Sequence, residues 1–159
     1  MRPHVTRAEV CVVGVAECFR GDGELLANPI GTIPMIGGRL ARATFEPDLA
    51  MTDGEATLVA NDRAVVPPDE RVIEYWNPYR SMFDWVWSGR RHVVMGATQI
   101  DRYGNQNFAA IGSYSQPKVQ LLGYRGAPGN TINCTTSYWV PKQGPRVFVE
   151  AVDTVTGVG

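Results

Sequence analysis

Apolar positions in the first stretch of the chain keep a 3.6-residue rhythm. Ala8, Val12, Val15, Ala16 and Phe19 fall on one face of a helix. Thr6-Arg7-Ala8-Glu9 supplies a capping box, and Gly21-Asp22-Gly23 ends the element. From Ala27 to Gly38 the pattern dissolves into small residues and prolines, a composition that lets backbones approach each other or a ligand. A short helix is expected through Arg39-Leu40-Ala41-Arg42-Ala43. After Pro47-Asp48, Leu49-Ala50-Met51-Thr52 reads as a buried strand ending at Asp53-Gly54.

Residues 60–70 are polar and carry Pro67-Pro68, so a loop is expected there. Val72 to Trp76 fits a strand, and Pro78 fits the first position of a helix that runs through Phe83 and Trp87 to Ser88-Gly89. His92-Val93-Val94-Met95 is a short apolar strand leading into Gly96-Ala97. Asp101 to Asn105 has turn chemistry, and Phe108-Ala109-Ala110-Ile111 reads as the next strand. A long Gly, Asn and Thr-rich loop is expected over 123–137, with a final strand over Val147–Val152. Strands alternating with helices predict a single α/β domain: an open, mostly parallel sheet with flanking helices.

Composition narrows the function classes. The 159 residues are 44% hydrophobic and 19% charged, which suits a folded globular chain. A formal net charge of −1 lacks the basic excess of a nucleic-acid-binding surface. No apolar run approaches the roughly 18–20 residues that span a bilayer. The polar start, Met1 to Glu9, has no signal-peptide core. Cys11, Cys18 and Cys134 form an odd set without framework spacing and read as small buried hydrophobes in a reducing compartment, the cytosol. Neither His4 nor His92 has a metal-ligand partner at suitable spacing, so no metal is expected. There is no Walker loop and no GxGxxG after a strand. Counting does not exclude Ser-His-Asp chemistry, yet no serine sits in a GxSxG elbow. His92, at a strand start, reads as a satisfied structural histidine.

The segment Met95 to Asn105 carries the most chemistry. A strand end followed by glycine brings a bare backbone amide to the edge where open α/β sheets gather ligands. There the Gly96 and Ala97 amides can receive the charge that develops on a thioester oxygen. The competing reading is that the glycines only permit tight turns. Gln99 and Asn105 can donate toward a carbonyl or cap the loop. Tyr75, Trp76, Tyr79, Phe83, Trp85 and Trp87 form an aromatic segment that suits core or subunit packing, or a wall for a hydrophobic ring substrate. Arg90 or Arg91 can meet a carboxylate or phosphate, or lie in solvent.

Gly-Ala-x-Gln-Ile-Asp-Arg-Tyr-Gly-Asn, at 96–105, resembles the signature of β-subunits of family I coenzyme A-transferases. Pro47-Asp48-Leu49 and the glycine-rich loop near Gly126 follow in the family's order. The resemblance implies an open α/β sheet, an acyl-CoA substrate whose coenzyme A is the only cofactor moiety, and an α-subunit partner in an α2β2 assembly. Gly126, Ala127 and Asn130, in the Gly-Ala-Pro-Gly-Asn run, can border the thioester or pantetheine arm or simply form a rigid turn, and with Asn105 they are the candidate substrate-binding residues. Conventional β-subunits carry a nucleophilic glutamate where this chain has Gly54, and Glu55 lies one residue on. In an extended segment that displacement turns the side chain to the opposite face.

Thr-Arg-Ala-Glu-Val-Cys (6–11), Thr-Asp-Gly-Glu-Ala (52–56), Gly-Arg-Arg-His-Val-Val-Met-Gly-Ala (89–97), Asp-Arg-Tyr-Gly-Asn-Gln-Asn (101–107), Arg-Gly-Ala-Pro-Gly-Asn-Thr-Ile-Asn (125–133) and Arg-Val-Phe-Val-Glu-Ala-Val-Asp (146–153) resemble one subgroup. It comprises the β-subunits of actinobacterial steroid ring-degrading hydrolases. This resemblance implies hydrolytic C–C cleavage beside a ketone in the last steroid-derived ring, with the essential glutamate supplied by the α-subunit. Subunits of this type are longer than 159 residues, so a chain cut short at its C-terminus is expected. Two alternatives stand beside this reading: a conventional transferase using Glu55 as nucleophile, and a non-catalytic subunit that stabilises its partner.

Overall fold

A computed structural model describes residues 5–52, 57–61 and 67–159. The elements are α1 (Arg7–Cys18), β1 (Leu26–Pro29), α2 (Thr32–Thr44), β2 (Ala50–Met51), β3 (Thr57–Val59), β4 (Ile73–Trp76), α3 (Ser81–Ser88), β5 (Arg91–Met95), β6 (Gln99–Ile100), β7 (Gln106–Asn107), β8 (Ala110–Ile111), β9 (Val119–Gln120), α4 (Ala127–Asn133) and β10 (Thr135–Tyr138). The central sheet runs in the order β10-β5-β1-β2, and each of its pairs is parallel. Among the described residues three antiparallel two-stranded ribbons, β3-β4, β6-β7 and β8-β9, accompany it. This is the open α/β architecture expected from the alternation of elements.

The expected capping box starts α1. The Thr6 hydroxyl accepts from the Glu9 amide at 3.2 Å, and the Glu9 carboxylate accepts from the Thr6 amide at 2.7 Å. Hydrogen bonds from Thr6 hold the Glu9 carboxyl below the usual glutamate range. The buried face of α1 is Val15 and Ala16, continued by Phe19, while Ala8 at its far end is exposed. These residues join Ala27, Ala41, Leu49, Met51 and Val94 in the main core. A smaller core of Val93, Met95 and Ala127, with Tyr138 against it, lies around the neighbouring side chains of β5.

The second helix departs from expectation. It begins at Thr32, seven residues before Arg39, and takes in Pro34, Gly37 and Gly38. Pro34 sits in the first turn, where its missing N–H costs no helical bond. A Cβ on Gly37 would lie 2.6 Å from Val15 Cγ1 and 2.9 Å from the Val12 carbonyl oxygen. Glycine there lets α2 press against α1, so tertiary contact outweighs helix propensity.

Three further expectations are corrected. Residues 123–137 are not a long loop, because they contain α4 and the edge strand β10. The turn-forming composition of this stretch is overruled by burial of Ala127 and Asn130 against the sheet. Val147–Val152 forms no strand; Phe148 makes only an isolated bridge to Ile100. The helix expected from Pro78 begins at Ser81, after a turn in which the Ser81 amide donates to the Pro78 carbonyl at 2.8 Å. Among the described residues no helix is long and apolar enough to cross a membrane.

The contact at Gly37 gives a direct test. Gly37→Ala gains about 1 kcal/mol of helix propensity. It forces the α1–α2 contact apart at about 1–3 kcal/mol. Chemical denaturation is expected to show net destabilisation, whereas a more stable variant would contradict the packing account.

Candidate functional site at the carboxyl edge of the sheet

All five residues of β5 are buried, and the strand has a parallel neighbour on each side. Its carboxyl end is therefore the middle of the sheet's carboxyl edge. The Ile30 amide donates to the Val94 carbonyl at 2.7 Å, and the Trp139 amide to the Met95 carbonyl at 3.1 Å. Beyond these last ladder bonds the chain leaves the sheet at Gly96-Ala97. Among the described residues neither of their amides has an acceptor. A Cβ on Gly96 would meet no atom within 4 Å, so the approach from outside is open.

Two features flank these amides. On the β1 side, Gly31 leads into α2, whose first turn has no side-chain cap and presents its N-terminal dipole to the same edge. On the β10 side, the Trp139 indole reaches across the end of β5, placing Nε1 3.9 Å from where a Gly31 Cβ would lie. Free amides, a helix N-terminus and an indole together suit an oxygen that gains negative charge next to an apolar group. In sequence, Gly31 is one of the small residues of the Ala27–Gly38 stretch, and nothing local marks Trp139, whose place depends on β10 joining the sheet.

The other expected site residues lie in supporting positions. Gln99 is buried, and its Oε1 accepts from Asn107 Nδ2 at 2.7 Å and from the Asp153 amide at 3.0 Å. Its Nε2 donates to Asp153 Oδ2 at 3.2 Å, so this amide is engaged within the chain. Asn107 extends the network: its Nδ2 also donates to the Ala110 carbonyl at 2.7 Å, and its Oδ1 accepts from the Ala109 amide at 3.0 Å. Asn105 closes the 101–105 turn by donating from Nδ2 to Asp101 Oδ2 at 3.1 Å. Asp101 Oδ1 also accepts from the Tyr103 and Asn105 amides at 2.9 and 3.1 Å. Burial raises the Asp101 pKa, but hydrogen bonds from Asn105, Tyr103 and Val152 outweigh it and hold the carboxyl below its ordinary 3.8.

Ala127 and Asn130 are buried against β5, while Gly126 is exposed at the start of α4. Asn130 Oδ1 accepts from Arg91 Nη1 at 2.7 Å, and Arg91 Nη2 donates to Asn28 Oδ1. Arg91 is thus an internal tie between β1, β5 and α4, and the expected alternative of a surface arginine is corrected. Burial lowers its pKa and raises that of the nearby Cys134 thiol. The Tyr138 hydroxyl, buried and without a hydrogen-bond partner among the described residues, is pushed up to about 12 by burial. A small apolar cavity of about 140 Å³ opens on the outer side of α4, lined by Tyr124, Pro128, Thr131, Ile132 and Val155–Val158. Glu55, the alternative nucleophile, and Gly54 lie outside the described residues. No cluster of His, Cys, Asp or Glu among the described residues has metal-binding geometry.

No family model matches the chain. The chain is 58% identical over 155 residues to the IpdB subunit of the cholesterol ring-cleaving hydrolase of Rhodococcus jostii, covering 98% of this chain and 60% of that one. Its structure superposes on the crystal structure of Rhodococcus jostii IpdAB with a TM-score of 0.91 at 56% identity, over 98% of this chain and 62% of that chain. Glutaconate coenzyme A-transferase from Acidaminococcus fermentans gives a TM-score of 0.76 at 22% identity, over 96% of this chain and 62% of that chain. The chain has the family I coenzyme A-transferase fold. It spans about 60% of the length of the curated relatives it matches. The expected fold and the resemblance that carried it are therefore borne out.

The Asp101 turn generates a prediction with a defined sign. Its folded pKa is depressed, so its stabilisation is present above the unfolded value near 3.8 and is lost as pH falls through the folded value. Asp101→Ala is expected to destabilise the fold at neutral pH, because the Tyr103 and Asn105 amides lose their acceptor. Urea melts of both proteins should converge as the acid limb is entered. A constant gap from pH 7 to 2 would refute this role.

Proposed function

We propose that this chain is the β-subunit part of a coenzyme A-thioester hydrolase that opens the last steroid-derived ring by hydrolytic carbon–carbon cleavage next to a ketone. The partner α-subunit supplies the catalytic glutamate, and the working assembly is α2β2. The observation that carries this reading is the pair of unspent amides at Gly96 and Ala97, in a chain 58% identical to a cholesterol ring-cleaving hydrolase subunit.

The chemistry follows from the edge. Cleaving a carbon–carbon bond beside a ketone by water places negative charge first on the attacked carbonyl oxygen and then on the departing enolate. Two fixed N–H donors and the α2 N-terminus stabilise such charge without reorganising. Ala127 and Asn130, tied to Met95 and Arg91, set the floor under the Gly96 segment, and Gly126 borders the pantetheine arm. The hairpin braced by Gln99, Asn107 and Asp153 holds Gly96-Ala97 from the other side.

Water attack needs a base, and the partner's carboxylate takes that role. An uncovered apolar surface on this chain supports a partner: Trp76, Tyr79 and Trp87 are 67, 82 and 71% exposed on β4, α3 and the turn between them. Aromatic surface of this extent is typical of protein contacts. The coenzyme A moiety enters with the substrate, and no further cofactor is required. These features suit a cytosolic enzyme.

The test uses the protein purified with its partner and a cyclic β-oxo acyl-CoA. Ring opening should occur without transfer of coenzyme A to a free acid. Gly96→Ala adds a methyl that meets nothing inside the chain but crowds the bound oxygen. It should leave folding intact and lower kcat/KM by about 100-fold. Unchanged kcat/KM, or a glutamyl-CoA thioester trapped on this chain, would reject the reading.

A further inference from the structure

The strongest feature outside that edge lies on the opposite face of β5 from α4. His92 is buried, and its two ring nitrogens are both engaged: Nδ1 lies 2.6 Å from Asp22 Oδ2, and Nε2 lies 2.9 Å from Ser137 Oγ. The three residues come from the α1–β1 turn, β5 and β10. Asp22 accepts only, so in the neutral ring Nδ1 carries the proton. Nε2 then holds a lone pair directed at the serine, and the Ser137 hydroxyl donates to it.

The surroundings fix this arrangement. Asp22 stands between Gly21 and Gly23, whose positive φ angles of 85° and 63° make a tight turn that other residues strain to adopt. The Glu46 carboxylate accepts from both glycine amides and pins the turn. Phe19 lies 4.9 Å from the imidazole, ring centroid to centroid, and shields the Asp22–His92 pair from water. Ser137 itself remains partly exposed.

An adjacent donor is also in place. β10 is an edge strand, and Trp139 turns its amide to β5. Residues two apart share a direction, so Ser137 does the same and Tyr138 turns its N–H to the outer edge. Among the described residues that N–H has no acceptor. The amide following a nucleophilic serine is a known oxyanion donor in unrelated folds.

We propose that Ser137, His92 and Asp22 form a serine-nucleophile site for activated acyl groups, esters or thioesters, separate from the Gly96 edge and independent of the ring-opening reading. In the acylation step, Ser137 Oγ bonds to the carbonyl carbon while its proton passes to His92 Nε2. The carbon–sulfur or carbon–oxygen bond breaks, and the leaving group takes the proton from His92. Water then attacks the acyl-serine with the same help, releasing the acid and restoring the hydroxyl. Ser137 is the catalytic residue, His92 its base and Asp22 a positioning residue that fixes the tautomer.

The experiment treats the protein, purified in the assembly it keeps, with a fluorophosphonate probe and locates the adduct by peptide mass spectrometry. The probe phosphonylates an activated serine: Oγ bonds to phosphorus, fluoride leaves, and an adjacent base takes the hydroxyl proton. Labelling is expected at Ser137, absent in Ser137→Ala. It should be slowed on the order of 100-fold or more in His92→Gln and in Asp22→Asn. Asn at position 22 can donate to Nδ1 and so reverse the tautomer. The strongly deshielded imidazole N–H resonance of the His–Asp pair should vanish with it, while thermal melting confirms folding. No adduct at Ser137, or an adduct formed equally fast in folded Asp22→Asn, overturns the proposal. Hydrolysis of p-nitrophenyl acetate should follow the same order of variants, and turnover retained in Ser137→Ala would also overturn it.

Discussion

The structure depends on one constraint: β5 is buried on both faces and hydrogen-bonded on both edges. A strand so placed has no freedom except at its ends. Its amino end is fixed by Arg91, which ties Asn28 of β1 to Asn130 of α4. Its carboxyl end is where the sheet's hydrogen bonding runs out, and there the chain carries Gly96. Backbone amides that would be satisfied anywhere else in the strand are left facing outward. The Gly96 and Ala97 amides are partly exposed and have no acceptor among the described residues, so they are open to an acceptor from outside.

Holding those amides still requires a rigid support, and the chain builds it from hydrogen-bonded polar side chains. Gln99, Asn107 and Asp153 share a network in which each amide oxygen serves two donors. Asp101 closes the adjoining turn as a carboxylate saturated with donors, which is why its pKa falls despite burial. Such networks favour a single geometry because every member is satisfied only in that geometry. The helix face opposite is held by a different device, the glycine-mediated contact of α2 with α1.

The two faces of β5 thus carry different chemistry. Val93 and Met95 look toward α4 and the small apolar core. His92 and Val94 look toward α1, where His92 meets Asp22 and Ser137. A strand alternates its side chains with period two, so neighbouring residues serve separate sites. The reading of the Gly96 edge and the serine reading rest on different atoms, the Gly96 and Ala97 amides in one case and the Ser137 hydroxyl with His92 in the other.

The sequence by itself determined what local pattern can carry. The capping box at Thr6–Glu9, the amphipathic end of α1, the apolar run of β5, the break at Gly96 and the open α/β class were all legible, because each rests on residues close in the chain. The span of α2, the presence of α4 and β10, and the absence of a strand over Val147–Val152 were not. There, glycine, proline and asparagine spoke for loops, and burial against distant elements decided otherwise. Only the tertiary structure paired Gln99 with Asp153, sent Arg91 inward, laid Trp139 across to Gly31, and joined Asp22, His92 and Ser137. Those contacts bridge tens of residues, and neither periodicity nor composition reports on which side chains a parallel crossover brings together.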